Sequence, residues 1–349
     1  MPPSVGLISL ATASPAHELI QDEVRDIVVE EFRERFPLVE RLATVFDNAG
    51  VRRRQAVRPI EWYLQPRSLP ERSATYLEGA LELFSQAAEK ALAGAGLGGA
   101  DVDIIVTAST TGVATPSLEA RAMNRLGFRP DAARVPLFGV GCAGGATGLA
   151  LAARLAAAQP GATVLFVTVE LCTLAFRNDV VNATDIVATA LFGDGAAACV
   201  LRTGDSGFLQ VAGFAEHTWP DSLDIMGWRM DDLGLGVVLS QSVPSFVQKM
   251  LRPAMQAMLQ AQGLAMEDID RFICHPGGAK VIEALEGALD LGQGALDVER
   301  EILAEHGNMS APTVLFILDR MRQKGLPRRS ALSALGPGFT ASTVTLLAA

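Results

Sequence analysis

The chain has 349 residues, of which 49% are hydrophobic and 19% charged, and its formal net charge is −10. This composition is typical of a compact globular protein and excludes a disordered chain, while the acidic balance argues against a nucleic-acid partner. Because this length exceeds one ordinary hydrophobic core, we expect two packed units or one duplicated unit.

The amino-terminal segment MPPSVGLISLATASP lacks the basic leader of a secretory signal. It predicts a short first strand instead. The best candidate for a membrane span, residues 145–158, is too short and is interrupted by Arg154, so no integral membrane segment is predicted. The cysteines show no paired spacing, which favours a reducing compartment; they are Cys142, Cys172, Cys199 and Cys274. We therefore expect a soluble, cytoplasmic protein.

The densest basic patch is VRRRQAV, which contains Arg52, Arg53 and Arg54. An anionic ligand of so acidic a protein needs local positive charge, and this patch is the candidate to supply it. A solvated turn is the alternative interpretation.

An internal repeat is the most informative feature of the chain. The pattern GL-x3-DVD at Gly96, followed by IIVT, recurs as GL-x3-DID at Gly263, followed by RFIC, 167 residues later. Each copy predicts a helix that ends at glycine, a short turn and a strand. At an offset of 166 residues, Cys142 corresponds to Asn308. The chain is thus predicted to be a duplicated α/β unit, with halves at 1–205 and 206–349.

Cys142 lies in FGVGCAGGATGLALA, between a predicted strand at residues 135–140 and a predicted helix at residues 148–157. A helix amino terminus supplies partial positive charge and free N–H groups, which favour a thiolate and can hold an oxyanion. The alternative is an inert core cysteine, since small apolar surroundings are common for buried thiols.

His275 follows a predicted strand in FICHPGG, at the carboxyl end where open α/β sheets place reactive groups. A single histidine there is as readily structural. With Cys142 and Asn308 at equivalent strand ends, however, the three side chains form a candidate catalytic set. In such a set histidine stabilises the thiolate, and asparagine donates to a developing oxyanion.

Five motifs in chain order carry a family resemblance: GVGCAGGATGLALA, ALFGDGAAACV, ICHPGG, GNMSAPTVLFIL and ALGPGFTAS. Together they resemble the type III polyketide synthases, the chalcone synthase-like branch of the thiolase superfamily. The HPGG motif, which begins at His275, and the GPGF segment separate this branch from the ketoacyl synthases. The resemblance implies a thiolase-like duplicated α/β fold, layered αβαβα with two pseudo-twofold-related halves, and a homodimer.

The resemblance also implies an acyltransferase of class EC 2.3.1. Cys142 would carry an acyl-CoA starter, and the enzyme would extend it by iterative decarboxylative condensation with malonyl-CoA. His275 and Asn308 would hold the enolate. No metal or organic cofactor is expected, because the coenzyme A thioesters are substrates. A pocket lined by small residues favours a medium- or long-chain fatty acyl starter, cyclised to an alkylpyrone or alkylresorcinol.

The same resemblance assigns the substrate pocket and the coenzyme A contacts. The two gate positions fall on Phe192 and on Val237, where valine in place of an aromatic residue would widen the cavity. The remaining pocket positions are Thr110, Thr111, Cys172, Ala175, Ala188, Gly227, Gly277, Ser310 and Gly338. Of the basic residues that contact coenzyme A in plant relatives, Arg41 keeps its charge, and the candidates to compensate for the others are Arg52, Arg53 and Arg54.

Four alternatives remain at this point. A synthase resembling 3-ketoacyl carrier-protein synthase III would condense once, and a chalcone synthase-like enzyme would use an aromatic starter. A papain-type hydrolase also uses Cys, His and Asn but lacks the duplication. A non-enzymatic dimerisation module would carry the fold with an inactive site.

Overall fold

A computed structural model describes residues 4–178, 182–204, 207–232 and 234–348. Its strands are β1 Val5–Ala13, β2 His17–Ile20, β3 Arg53–Ala56, β4 Ile104–Ala108, β5 Ala133–Leu137, β6 Val164–Leu171, β7 Asp194–Thr203, β8 Leu209–Thr218, β9 Met226–Asp231, β10 Gly234–Leu239, β11 Arg271–Cys274, β12 Arg329–Gly336 and β13 Thr340–Ala348. Its helices are α1 Gln21–Phe32, α2 Val39–Leu42, α3 Thr44–Asn48, α4 Ile60–Tyr63, α5 Leu69–Gly94, α6 Leu118–Leu126, α7 Gly144–Ala158, α8 Ala183–Leu191, α9 Val243–Gln260, α10 Ala279–Leu289, α11 Asp297–His306 and α12 Thr313–Lys324.

The main sheet has the strand order β11-β12-β13-β8-β1-β7-β6-β4-β5. Outward from the central pair, β8-β13-β12-β11 of the second half corresponds to β1-β7-β6-β4 of the first half, and β5 is an additional edge strand. In the first half β4 is parallel to β6, and β6 is antiparallel to β7. In the second half β11 is parallel to β12, and β12 is antiparallel to β13. The halves thus repeat one pairing scheme, which confirms the predicted duplication.

The repeat extends to hydrogen bonds in the turns before β4 and β11. The Gly98 amide donates to the Asp101 carboxylate at 2.8 Å, and the Ala265 amide donates to the Asp268 carboxylate at the same distance. Aspartate in these turns satisfies a backbone donor that would otherwise lack a partner. The conserved spacing of the two sequence copies therefore reflects one turn built twice.

The layers follow from the faces that the helices cover. Helix α5 packs on β1, β6 and β7, helix α9 packs on β8 and β13, and α7 and α12 contact strands of both halves. The two central helices approach closely at Gly145, where an added Cβ would lie 2.3 Å from the Ala311 carbonyl oxygen. This arrangement confirms the αβαβα layering and brings the amino-terminal ends of α7 and α12 together.

Two elements differ from expectation, and one predicted boundary lies outside the described residues. The predicted strand at residues 135–140 ends at Leu137, and Arg53–Ala56 forms strand β3 instead of a turn. The proposed domain boundary between residues 205 and 206 lies outside the described residues. Within the described ranges, none of the helices combines the length and apolar character that crossing a bilayer would need.

Candidate active site

Cys142 lies in a short 3-10 turn, Gly141–Ala143, that leads directly into α7. The side chain is 8% exposed. Strand β12 of the other half packs against this turn, so that a Cβ on Gly336 would lie 2.6 Å from the Ala143 nitrogen and the Val140 oxygen. The cysteine is therefore held where the two halves meet, as the duplication predicts.

Asn308 follows α11 and lies beside the predicted gate residue Phe192. Its backbone N–H donates to the Leu191 carbonyl at 2.8 Å, and its backbone carbonyl accepts from the Gly193 N–H at 3.1 Å. The side-chain Oδ1 accepts from the Ser310 amide at 2.8 Å, while Nδ2 lies 3.4 Å from the Gly277 carbonyl. Because Oδ1 is engaged, the carboxamide presents its donor end toward the segment that follows His275.

His275 lies at the end of β11, where its amide donates to the Ser333 carbonyl at 2.9 Å. The imidazole is buried, and neither ring nitrogen has a hydrogen-bond partner among the described residues. Gly277, two residues after His275, lies beside the Asn308 carboxamide, and the Ser310 side chain is close enough to the Cys142 thiol to lower its pKa. Ser310 therefore lies between Cys142 and Asn308, and the Asn308 carboxamide faces the segment that follows His275.

Burial determines the protonation of the cysteine and histidine. It raises the pKa of Cys142 to about 11, an effect that the hydrogen bond from Ser310 opposes and the nearby Glu170 increases. Burial also lowers the pKa of His275 to about 4. Both side chains are neutral near pH 7, so desolvation outweighs the helix-terminus effect that was expected to favour a thiolate.

Glu170 in β6 is a buried residue of this site that sequence reasoning missed. Its carboxylate accepts from the amides of Thr110 and Thr111, each at 3.0 Å, and from the Thr111 hydroxyl at 2.8 Å. The Thr110 hydroxyl in turn accepts from the Gly141 amide at 3.1 Å. The predicted pocket positions Thr110 and Thr111 therefore connect Glu170 to the cysteine turn. An acid inside the apolar run VLFVTVEL was the available signal, since unpaired charges are rarely buried.

Two cavities, both lined by Ala175, reach this region through Phe192 and Thr111, and neither is lined by Cys142, His275 or Asn308. The first is also lined by the predicted pocket residues Cys172, Ala188 and Phe192. The second, of about 380 Å³, is also lined by the predicted Thr111 and by residues that the sequence did not single out, namely Leu69, Pro70, Arg72, Ser73, Tyr76, Gly112, Val113, Leu174, Arg177, Trp228, Met230, Gly234 and Leu235. The mostly apolar lining suits a hydrocarbon chain.

The remaining pocket predictions fall on the β9–β10 hairpin and on the turn after β12. Val237 is paired with Trp228, so the two side chains share one face of the hairpin, and Trp228 lines the second cavity. An added Cβ on Gly227 would meet no described atom within 4 Å. Gly338 lies beside Thr340 in the turn between β12 and β13.

The predicted coenzyme A contacts divide into exposed and buried residues. Arg41, Arg52 and Arg53 are exposed, and Arg53 pairs with Glu18 at 3.3 Å. Arg54 is 1% exposed, so its assignment to a basic surface patch is wrong. The physical reason is that Arg53–Ala56 is a strand, in which successive side chains point to opposite faces, and Arg54 takes the inner face.

Comparison with known proteins identifies the family. The sequence profile of the amino-terminal domain of chalcone and stilbene synthases matches residues 4–205, and that of the carboxyl-terminal domain matches residues 210–348. A 1,3,6,8-tetrahydroxynaphthalene synthase of Streptomyces peucetius subsp. caesius is 40% identical, over 96% of this chain and 91% of its own length. A polyketide synthase-like protein of alpha-pyrone synthesis from Mycobacterium tuberculosis is 28% identical, over 97% of this chain and 90% of its own length.

A solved structure shares the fold over nearly its whole length. The 1,3,6,8-tetrahydroxynaphthalene synthase of Streptomyces coelicolor, a bacterial type III polyketide synthase, superposes with a TM-score of 0.93 at 27% identity, covering 98% of this chain and 99% of that one. With both domain profiles matched in order across one duplicated fold, the chain belongs to the chalcone and stilbene synthase family and is a type III polyketide synthase.

Proposed function

We propose that Cys142 is the nucleophile that carries the acyl chain. His275 accepts the thiol proton as the sulfur attacks the starter thioester, and coenzyme A leaves as the acyl-enzyme forms. This order suits a neutral resting pair, because the buried thiol becomes a thiolate only when a base takes its proton. The unpartnered ring nitrogens of His275 make it the candidate base.

The extension step follows from the same three side chains. Malonyl-CoA loses carbon dioxide, and the electron pair of the broken bond forms the enolate of acetyl-CoA. His275 and the Nδ2 donor of Asn308 hold the enolate oxygen. The enolate carbon then attacks the thioester carbonyl, and the Cys142 sulfur leaves to accept the lengthened chain again. The observation that carries this proposal is the placement of Asn308, whose Oδ1 accepts from the Ser310 amide and whose Nδ2 lies 3.4 Å from the carbonyl of Gly277 in the segment after His275.

The starter is proposed to be a medium- or long-chain fatty acyl-CoA, and the product an alkylpyrone or alkylresorcinol. The second cavity, of about 380 Å³, supports this choice, because its lining is mostly apolar and includes Val113 and Met230, each 59% exposed. An acyl chain that enters at Ala175 can therefore extend toward solvent instead of ending against the protein. A bulky aromatic starter does not need such an extension.

A second candidate product has its own support. The 40% identity to a 1,3,6,8-tetrahydroxynaphthalene synthase favours a naphthalene product formed without a long starter. The two candidates differ in what the second cavity does: it holds an alkyl chain in the first and no part of the substrate in the second.

The experiment is incubation of the purified enzyme with labelled malonyl-CoA and a series of saturated acyl-CoA starters, followed by product masses. Ala175→Phe places a bulky side chain in the lining that the two cavities share, and we expect turnover of hexadecanoyl-CoA to fall about tenfold or more while short starters are retained. Ala93→Phe, on the exposed face of α5, is the matched control. Formation of tetrahydroxynaphthalene from malonyl-CoA alone, with no alkyl product, would refute the fatty-acyl assignment.

The enzyme is also proposed to act as a homodimer in the cytoplasm, with no metal or organic cofactor. Strand β5 lies at an edge of the main sheet, and the adjacent Phe138 is 59% exposed, which supports burial of this edge by a second copy. Light scattering during gel filtration tests the dimer, and a monomer at micromolar concentration would contradict it.

A further inference from the structure

Arg54 is a buried cation beside the proposed active site. Its Nη1 donates to the Gln21 side-chain oxygen at 2.8 Å and to the Ala190 carbonyl at 2.9 Å. Burial lowers the pKa of Arg54 to about 10, and nearby Asp194 opposes that shift, so the guanidinium stays charged near pH 7. A buried charge is costly unless its contacts compensate. Those contacts therefore indicate what the residue stabilises.

The contact with Ala190 fixes the carboxyl-terminal end of α8. Gln21 Nε2 donates to the same carbonyl at 3.0 Å, so two side chains hold one of the last carbonyls of that helix. Cations are favoured at this end of a helix, because its carbonyls lack intrahelical partners. The residues that come next, Leu191 to Gly193, include both backbone groups that hydrogen bond to Asn308.

The aliphatic part of Arg54 also packs between the two bonded segments. A Cβ on Gly193 would lie 3.2 Å from the Arg54 Cβ, and a Cβ on Gly307 would lie 3.5 Å from it. The added Cβ on Gly193 would also lie 2.2 Å from the His306 carbonyl oxygen, and the added Cβ on Gly307 would lie 2.7 Å from the Leu191 carbonyl oxygen. Arg54 thus contacts Gly307, which precedes Asn308, and Gly193, which hydrogen bonds to Asn308. Through its hydrogen bond to Ala190, Arg54 also holds the segment that leads to Gly193.

We propose that Arg54 is a positioning residue for Asn308, setting the backbone that aims the carboxamide at the enolate. The role rests on the proposed function of Asn308 and assigns to Arg54 no contact with substrate. Because Phe192 lies between the two hydrogen-bonded groups, the same anchor orients the gate residue. Displacement of Asn308 should therefore reduce stabilisation of the enolate oxygen more than it reduces acyl transfer to Cys142.

The test separates the two half-reactions. Starter loading is measured as the mass increase of the intact protein after incubation with acyl-CoA, and decarboxylation as acetyl-CoA formed from malonyl-CoA. In Arg54→Met, decarboxylation should fall between about 10-fold and 100-fold while loading stays within about threefold. Arg54→Lys, which keeps a donor and a charge, should recover part of that loss. Arg125→Met removes a surface arginine that pairs with Glu82 and should change neither rate.

Hydrogen exchange supplies a readout that does not depend on the role of Asn308. Exchange of the Gly193 and Asn308 amides should be faster in Arg54→Met than in the wild type, with exchange in β7 unchanged. Equal losses of loading and decarboxylation, or unchanged exchange at these amides, would overturn the proposal.

Two further variants keep the test decisive. If Arg54→Met does not fold, Gln21→Met replaces it, because it removes the second donor to the Ala190 carbonyl. We expect Gln21→Met to reduce decarboxylation more than loading, by a smaller factor than Arg54→Met. Equal losses of the two half-reactions in Gln21→Met would refute the inference. Normal decarboxylation in Asn308→Ala would refute the proposed role of Asn308 instead, while the exchange data would still decide whether Arg54 positions that segment.

Discussion

The buried Glu170 carboxyl allows a quantitative prediction about stability. Burial raises its pKa from 4.5 to about 7, against the opposing hydrogen bonds from Thr110 and Thr111. The native state therefore binds this proton more tightly than the unfolded chain does. The stabilisation is fully present below about pH 4.5 and is lost as the pH rises through about 7.

The size of the effect follows from the two pKa values. Between pH 5 and pH 8, deprotonation of this carboxyl lowers the free energy of unfolding by roughly 2 to 3 kcal/mol. Glu170→Gln cannot titrate, so that component of the pH dependence should disappear. Asp194, whose pKa burial raises to about 6, adds a loss in the same direction, whereas His275 and His306, whose pKa values burial lowers to about 4, add a gain. The contribution of Glu170 is therefore the difference between the wild type and Glu170→Gln in how much their stability changes from pH 5 to pH 8.

The assay is urea unfolding followed by tryptophan fluorescence at pH 5 and pH 8, at one protein concentration. Glu267→Gln, at an exposed position, is the matched control and should behave as the wild type. If the stability of Glu170→Gln and that of the wild type changed by the same amount between the two pH values, the reasoning would be refuted. The hydrogen bonds from the two threonines would then outweigh burial, and the native carboxylate would be charged throughout.

Three further outcomes are expected. Cys142→Ala should abolish products, while His275→Gln should impair malonyl-CoA decarboxylation more than starter loading; the reverse order, measured by the same half-reaction assays, would mean that another group holds the enolate. Val237→Phe should reduce turnover of hexadecanoyl-CoA about tenfold and spare short starters, and equal turnover of fatty and coumaroyl starters in the wild type would refute the role of Val237. Gly336→Ala places a Cβ against the cysteine turn and should lower the free energy of unfolding, measured in urea, by about 2 kcal/mol. Gly292→Ala, whose added Cβ meets no described atom within 4 Å, is the control and should lower it little. Equal losses in the two variants would contradict the close packing of the two halves.

Much of the site could be predicted because its determinants are local. The strand-to-helix turn at Cys142 and the strand end at His275 are encoded by neighbouring glycines and proline. Repetition supplied the long-range information, since Asn308 became a candidate through its correspondence to Cys142 in the other half. The pairing of β4 with β6 and of β11 with β12 follows the same repeat.

The errors and omissions involve contacts between distant parts of the chain. Arg54 resembled a surface charge because its neighbours are arginines, yet its partner Ala190 lies 136 residues away. Trp228 gave no sign that it lines a cavity with Ala175, because the hairpin that carries it packs on a loop from the other half. Neither hydrophobic periodicity nor residue spacing records such a contact.

The sequence by itself determined the duplicated architecture and the positions of the cysteine, histidine and asparagine, because turns, strand ends and repeats are specified within a few residues of one another. Only the tertiary structure decided which charges are buried and which surfaces enclose space. Those properties depend on how the two halves pack, and burial in turn sets the protonation of Cys142, Glu170 and His275 by removing water from around them.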